Sequence, residues 1–215
     1  MNTHWMPEGT VYGTLLNFQR EFALWAPRMS QPPYLAPPKA PVLYVKTANT
    51  FTPAGHTIVL PAGQPVAVSA SLGLVMGAAG VAGAVLFCEV AIVHDSYYRP
   101  PVKFQCLDGF LGVGPECVPL QRLGGLAGLS ALQLELRIHG VHRQTTVLAE
   151  LVRDAATLLA DVGEFMTLRP GDVLMLGSDC LADGSRPLVH AGDTVEIGAT
   201  GFKPVVHRFA SEETA

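Results

Sequence analysis

Charge is scarce in this chain. Asp, Glu, Lys and Arg supply 15% of its 215 residues against 49% apolar ones, and the formal charge is −4. It has no run of Lys or Arg, so it lacks the electrostatic footprint for a phosphate backbone or an anionic membrane surface, and neither nucleic acid nor a membrane is expected as a partner. The four cysteines, Cys88, Cys106, Cys117 and Cys180, show no paired spacing. The start lacks the charged, apolar and small-residue order of a secretory leader, so reduced thiols and a cytoplasmic address are expected. A Gly-x-Ser-x-Gly nucleophile elbow, a phosphate-binding glycine loop, internal repeats and low-complexity tracts are all missing.

One absence is local. From Val66 to Cys88 no residue is charged, longer than the roughly 18 apolar residues that suggest a membrane span. Gly73, Gly77, Gly80 and Gly83 punctuate the run, which therefore predicts two buried strands, Leu72 to Met76 and Val81 to Phe87, broken by Gly77-Ala78-Ala79-Gly80. The apolar content is enough for a sizeable core in one domain.

Residues 1–41 read as a loose tail, a strand over Val11 to Phe18, a short helical segment from Phe18 to Met29 and a proline-rich strap from Ser30 to Pro41. A main domain over 42–209 and a tail at 210–215 follow. Val42 to Val45 forms a strand ending at Lys46, and Ile58 to Leu60 another. Leu132 to Ile138 alternates apolar and polar residues, the period of a half-buried strand, with His139-Gly140 turning into a hairpin. Leu148, Leu151, Val152, Ala155, Leu158, Leu159, Val162 and Phe165 recur at helical spacing, which predicts a long helix over Thr146 to Phe165. Val173 to Leu176 and Thr194 to Gly198 complete the strands.

The informative stretches are dispersed. They are Val11-Tyr12-Gly13-Thr14-Leu15-Leu16-Asn17-Phe18, Leu43-Tyr44-Val45-Lys46-Thr47-Ala48-Asn49-Thr50-Phe51, Ser96-Tyr97-Tyr98-Arg99-Pro100-Pro101, Asp108-Gly109-Phe110 with Gly114-Pro115, Thr167-Leu168-Arg169-Pro170-Gly171-Asp172-Val173-Leu174, Ala191-Gly192-Asp193-Thr194-Val195 and Thr200-Gly201-Phe202-Lys203-Pro204. Together they resemble the fumarylacetoacetate hydrolase superfamily. Within it they are similar to the N-terminal-half type of the bifunctional isomerase/decarboxylases of bacterial homoprotocatechuate catabolism. The resemblance implies a mainly β (α+β) fold, a rolled mixed β-sheet or barrel with one long packed helix.

It also implies a chemistry. Active relatives use Mg or Mn to chelate a 2-oxo acid or its enol. The ligands are a Glu-x-Glu pair on one face of a strand and an Asp in an Asn-Asp pair on its neighbour. The matching positions here are Ser69, Ser71 and Glu89, with Cys88 at the place of the Asn. Two anionic ligands are lost, each worth roughly twice the about 4 kcal/mol of one unit-charge pair at about 4 Å, gross of desolvation. No cofactor is expected on this chain. The family lysine ahead of its Asp-x-Phe appears as Gln105, with Lys103 two residues earlier, and its Thr-Gly-Thr-Pro as Leu176-Gly177-Ser178-Asp179. The charge-free run also lacks a longer charged segment that relatives carry near Gly77 to Val81.

The resemblance assigns Glu89, His94 and Lys46 as catalytic candidates and Arg99, Lys103 and Gln105 as substrate-binding ones. Each has a plainer reading. Lys46 matches a family lysine near the substrate, yet a strand-end lysine is commonly solvated. Glu89 in an apolar run needs a cation or a polar pocket. Arg99 can hold a carboxylate with its fork or fix a loop or interface. His94-Asp95 is a lid dyad for general-base work or an exposed loop pair. His139 and His142 lack companions for zinc. Asp179, Asp183 and Gly184 lack the remaining acids of a calcium loop, with His190 at its closing position.

Three functions are compatible. The first is an enzyme that isomerises or decarboxylates a muconate-type acid, as a 2-hydroxyhepta-2,4-diene-1,7-dioate isomerase/5-oxopent-3-ene-1,2,5-tricarboxylate decarboxylase of 4-hydroxyphenylacetate catabolism, or a related hydrolase. The second is an auxiliary subunit with a degenerate metal site, in a homo-oligomer or beside a metal-binding paralogue. The third is a metal-free protein that binds small dicarboxylic or tricarboxylic acids.

Overall fold

The uncharged run folds as two long antiparallel strands, Val66–Gly77 and Gly80–Ile92, closed by the expected glycine turn, where Gly80 takes a positive φ of 108°. Successive side chains alternate between the faces. Val68, Ala70, Leu72, Leu74, Leu86, Cys88 and Val90 enter one apolar core, and Val75, Val85 and Phe87 enter another. Both faces are covered, so neither has use for a charge.

The structure, a computed structural model, describes residues 4–94, 96–97 and 102–212. The expected site residues Asp95 and Arg99 lie outside the described residues. In chain order the strands are β1 Val11–Leu15, β2 Val42–Lys46, β3 Phe51–Pro53, β4 Thr57–Leu60, β5 Val66–Gly77, β6 Gly80–Ile92, β7 Leu111–Val113, β8 Val118–Pro119, β9 Gln133–Ile138, β10 Val141–Val147, β11 Val173–Met175, β12 Leu188–Val189, β13 Thr194–Gly198 and β14 Val205–Ser211. The α-helices are α1 Gln19–Met29, α2 Val102–Gln105, α3 Gly125–Gly128 and α4 Ala155–Gly163.

The larger sheet runs β2-β1-β11-β5-β6-β7-β3, with β12 added to β5 and β8 to β6. It is mixed, because β1 pairs parallel to β11 and β3 parallel to β7. Its two edges, β2 and β3, are joined only by residues 47–50, so the sheet must curl on itself. Lys46 on β2 accordingly hydrogen-bonds the carbonyl of Val90 on β6. The smaller sheet runs β10-β9-β13-β14-β4 and packs Leu134, Leu136, Ile197, Val205 and Phe209 into the shared core. The architecture is the expected mainly β, rolled mixed sheet.

The His139-Gly140 turn closes the β9–β10 hairpin, both residues having positive φ (50° and 73°), as a hairpin turn that follows strand twist demands. His139 Nε2 meets Asp193 Oδ1 at 2.8 Å and His142 Nε2 meets Thr145 Oγ1 at 2.8 Å, so the two histidines have separate partners.

The expected helix over 146–165 is shorter. Thr146 and Val147 continue β10, Leu148–Glu150 is a single 3₁₀ turn, and Leu151 bridges to Phe18. The helix starts where Asp154 caps it, accepting from the Thr157 amide at 2.8 Å. Leu148, Leu151, Leu158 and Val162 all reach one core from three different elements, which mimics a continuous apolar stripe. Phe165 lies beyond the helix and is 56% exposed. The helical segment after β1 is found as expected, with Met29 buried beneath it. The proline-rich strap opens in a turn, with Tyr34 and Leu35 amides donating to the Gln31 carbonyl. No helix among the described residues is long and apolar enough to cross a membrane.

Candidate functional site

The alternation that buries β5 and β6 sends Ser69, Ser71 and Glu89 to the concave side of the roll. Ser69 stands directly opposite Glu89 in the antiparallel register. Ser71 is fully buried and donates to the Gly177 carbonyl at 2.9 Å. Tyr44 arrives from β2: its ring lies flat over Gly13 of β1, where a Cβ would come within 2.0 Å of Tyr44 Cζ. That glycine lets the phenol reach Glu89 and donate to its Oε1. Glu89 is 7% exposed, and its Oε2 has no hydrogen-bond partner among the described residues. Burial, followed by the Glu89 charge, raises the Tyr44 pKa well above the ordinary phenol value, so this hydroxyl stays a neutral donor.

Lys46 is 1% exposed, contrary to the plain reading of a solvated strand end. Its ammonium donates to the carbonyls of Val90 (2.9 Å), Gln105 (2.7 Å) and Phe110 (3.0 Å). Burial lowers its pKa and the charge of Glu89 opposes the shift. Three donors on three carbonyls leave it no free proton for a ligand. It is a strut that ties β2 to β6 and α2. Beside it, burial pushes the Cys88 thiol up to about 12, which keeps it an unreactive thiol.

Gln105 is buried at the end of α2 and lines the same cleft, with its Oε1 also lacking a hydrogen-bond partner. Lys103, two residues earlier, is exposed, with Nζ 5.9 Å from the Phe104 ring centroid, and is not in the cleft wall. His94 is in the wall, stacked on Phe104 at 5.3 Å and edge-on to Tyr97 at 6.3 Å. The structure thus gathers Glu89, Ser69, His94 and Gln105, and leaves Lys46 behind them and Lys103 outside.

The cleft has a volume of about 550 Å³ and includes residues that no local pattern announced. Arg186, half-buried, forms an ion pair with the buried Glu21 of α1, whose Oε1 also accepts from Tyr97 Oη at 2.5 Å. Burial alone would lower the Arg186 pKa, but the Glu21 carboxylate overrides it and holds the guanidinium charged. Arg186 also approaches the Ser178 carbonyl at 3.4 Å. This cluster closes one wall, with Tyr97 packed on Trp25 at 4.6 Å. Arg28 lies in the cleft wall with its guanidinium carbon 5.0 Å from the Trp25 ring centroid. Asp179 is buried outside the cleft wall and pairs with Arg20 at 3.4 Å.

The donor set can be tested against a divalent ion. The three positions offer two hydroxyls and one carboxylate; the Ser71 hydroxyl is spent on a carbonyl and Glu89 Oε1 on a phenol. Mg wants near-octahedral oxygen ligands including carboxylates. These residues do not fit it. Among the described residues no group of three or more His, Cys, Asp or Glu could hold a metal.

The sequence matches the fumarylacetoacetate (FAA) hydrolase C-terminal family over residues 10–210. It is 33% identical over 217 residues to a 4-hydroxyphenylacetate degradation bifunctional isomerase/decarboxylase from Salmonella dublin, covering 96% of this chain and 48% of that protein. The chain therefore spans about half the length of the curated relatives it matches first. Among solved structures, the 5-carboxymethyl-2-hydroxymuconate delta-isomerase of Mycobacterium smegmatis superimposes with a TM-score of 0.76 at 21% identity, covering 97% of this chain and 79% of that one. Maleylpyruvate hydrolase from Sphingobium, solved with manganese and pyruvate, gives 0.73 at 18% identity, over 95% and 71% of the two chains. At these identities the two structures speak for the fold alone.

Proposed function

The chain belongs to the fumarylacetoacetate hydrolase C-terminal family, and from that premise we propose that it is a metal-free subunit of a 2-hydroxyhepta-2,4-diene-1,7-dioate isomerase/5-oxopent-3-ene-1,2,5-tricarboxylate decarboxylase in 4-hydroxyphenylacetate catabolism. In this reading it works in the cytoplasm beside a paralogue that keeps the Glu-x-Glu pair. The observation that carries it is the bond from Tyr44 to Glu89, which engages the one carboxylate among the three family ligand positions. The relatives' double length supports the second polypeptide: what they hold in one chain, this chain supplies in half. Glu89, His94 and Gln105 face the ligand, Lys46 positions them from behind, and Arg99 and Lys103 are assigned to binding the ligand's carboxylates.

Calorimetric titration with MnCl₂ and co-expression with a Glu-x-Glu paralogue test this reading. The expected outcome is that the chain alone takes up no stoichiometric Mn²⁺ and that the two proteins co-purify with activity above that of the paralogue alone. Stoichiometric uptake by this chain, or a paralogue indifferent to it, overturns the proposal.

A second reading, a binding protein for small dicarboxylic or tricarboxylic acids, is favoured by Arg28. Arg186 is neutralised by Glu21, whereas Arg28 enters the cleft wall with only an aromatic contact among the described residues.

A further inference from the structure

The cleft contains two buried acceptors with nothing to accept among the described residues. Among the described residues Glu89 Oε2 and Gln105 Oε1 both lack a hydrogen-bond partner, and both side chains line the same cavity. Buried polar atoms are almost always paired, so each unpaired one needs an explanation. Two acceptors ask for a donor. They also repel a carboxylate, which directs the acidic end of a ligand away from Glu89 and towards Arg28, while Trp25, Tyr97 and His94 supply flat walls for a conjugated skeleton. The ligand end that suits Glu89 is a hydroxyl on an unsaturated carbon.

We propose that Glu89, oriented by Tyr44, is a proton-transfer group that ketonises a dienol acid in this cleft without a metal. The ligand class rests on the reading above; the chemistry goes beyond it. Glu89 Oε2 takes the proton of the enol hydroxyl, and the C–O bond becomes a carbonyl. The electron pair of the carbon–carbon double bond moves to the far carbon, which takes the same proton back from Glu89. One O–H bond breaks, one C–H bond forms, and the carboxylate is regenerated with no oxidant, reductant or co-reactant. Tyr44 holds Oε1 throughout, which leaves Oε2 as the working oxygen. Its phenol stays protonated at neutral pH because burial and the Glu89 charge both raise its pKa. Ser69, opposite Glu89, is placed to donate to the carbonyl oxygen as it forms.

The test uses the full chain, treated with chelator, and the enol form of a 2-hydroxy-2,4-diene-dioic acid, followed by loss of its ultraviolet absorbance against buffer. Ketonisation above the buffer rate is expected, unchanged by added MnCl₂. Glu89→Gln lowers the rate by at least about 100-fold while the dienol still quenches tryptophan fluorescence. Should Glu89→Gln fail to fold, Glu89→Asp, which withdraws the carboxylate by one methylene, serves instead and is expected to lose most of the rate. Turnover no faster than buffer by a folded chain overturns the proposal, as does turnover that appears only with Mn²⁺. Co-purification with the paralogue is scored separately, so a chain that pairs without ketonising defeats this inference and leaves the subunit reading standing.

Discussion

Tyr44 on β2 and Glu89 on β6 meet across the interior of the rolled sheet, phenol donating to carboxylate, although four strand-to-strand steps separate them in the sheet. The contact exists because residues 47–50 bring the edges β2 and β3 together. Tyr44→Phe deletes the donor and leaves a buried carboxylate with neither oxygen paired. The expected loss is about 1–3 kcal/mol of unfolding free energy, measured as a lower urea midpoint. An unchanged midpoint would mean the contact contributes nothing to folding.

Gly13→Ala tests how Tyr44 is aimed. The new Cβ would sit 2.0 Å from Tyr44 Cζ, inside any tolerable contact, so the ring must lift off β1. Overpacking of this kind costs about 1–3 kcal/mol. In the double variant with Tyr44→Phe the two losses should sum to more than the pair shows, because the first change already disturbs the contact the second removes. Strict additivity would sever Gly13 from the site.

Much of the fold was legible where signals are local. The Gly77-to-Gly80 turn, the alternation of Leu132 to Ile138 and the His139-Gly140 reversal all lie within a few residues of what they determine, and the strands beside them stand where they are expected, whereas the short β3, β7, β8 and β12 and the late β14 carry no such local signal and β1 ends at Leu15 rather than Phe18. The segment 146–165 departs from its expected helix because apolar spacing reports burial, not the element that delivers it. The site was half legible. Ser69, Ser71 and Glu89 follow from strand alternation, but Glu21 and Arg186 are 165 residues apart and no spacing rule links them. Lys46 was recognised as a residue but not as a strut, since its three carbonyl partners come from Val90, Gln105 and Phe110.

The Arg186–Glu21 pair should behave as a part-buried salt bridge, with Glu21 buried and Arg186 half-buried. Removing one partner, by Arg186→Met or Glu21→Gln, strands the other and costs about 1–3 kcal/mol, less than a fully buried pair, because the Arg186 side chain is 22% exposed and Tyr97 still donates to Glu21. Removing both, with Arg186→Met and Glu21→Leu, recovers most of that loss. Chemical denaturation of the three variants gives the cycle; a double variant as unstable as the sum of the singles would show that the two charges do not support one another.

His207 makes stability depend on pH. It is buried, its Nδ1 lies 2.9 Å from the His56 carbonyl, and burial lowers its pKa below the ordinary imidazole value. Below about pH 6.5, the ordinary value, the unfolded chain gains a proton that the folded chain refuses. This contribution is therefore intact above that pH and is lost as pH falls towards the lowered folded value. His207→Gln should flatten the fall in urea midpoint between pH 7.5 and 5.5 relative to the parent chain. Parallel curves would place the pH dependence elsewhere.

Rebuilding the family's carboxylates asks what keeps a divalent ion out. Ser69→Glu with Ser71→Glu sets two new charges near Glu89, and each like-charge pair at about 4 Å opposes folding by about 4 kcal/mol at an effective dielectric of about 20. Ser71 is fully buried, so the cost there is compounded by the lost bond to Gly177. The double variant should melt well below the parent and recover only slightly with MnCl₂, because Tyr44 still holds Glu89 Oε1. Adding Tyr44→Phe releases that oxygen, and the triple variant should take up Mn²⁺ stoichiometrically with a rise in Tm that grows with ion concentration, as ligand linkage requires. Equal Mn²⁺ affinity in the double and triple variants would show that the phenol does not stand in the ion's way, and that the missing carboxylates alone account for the site.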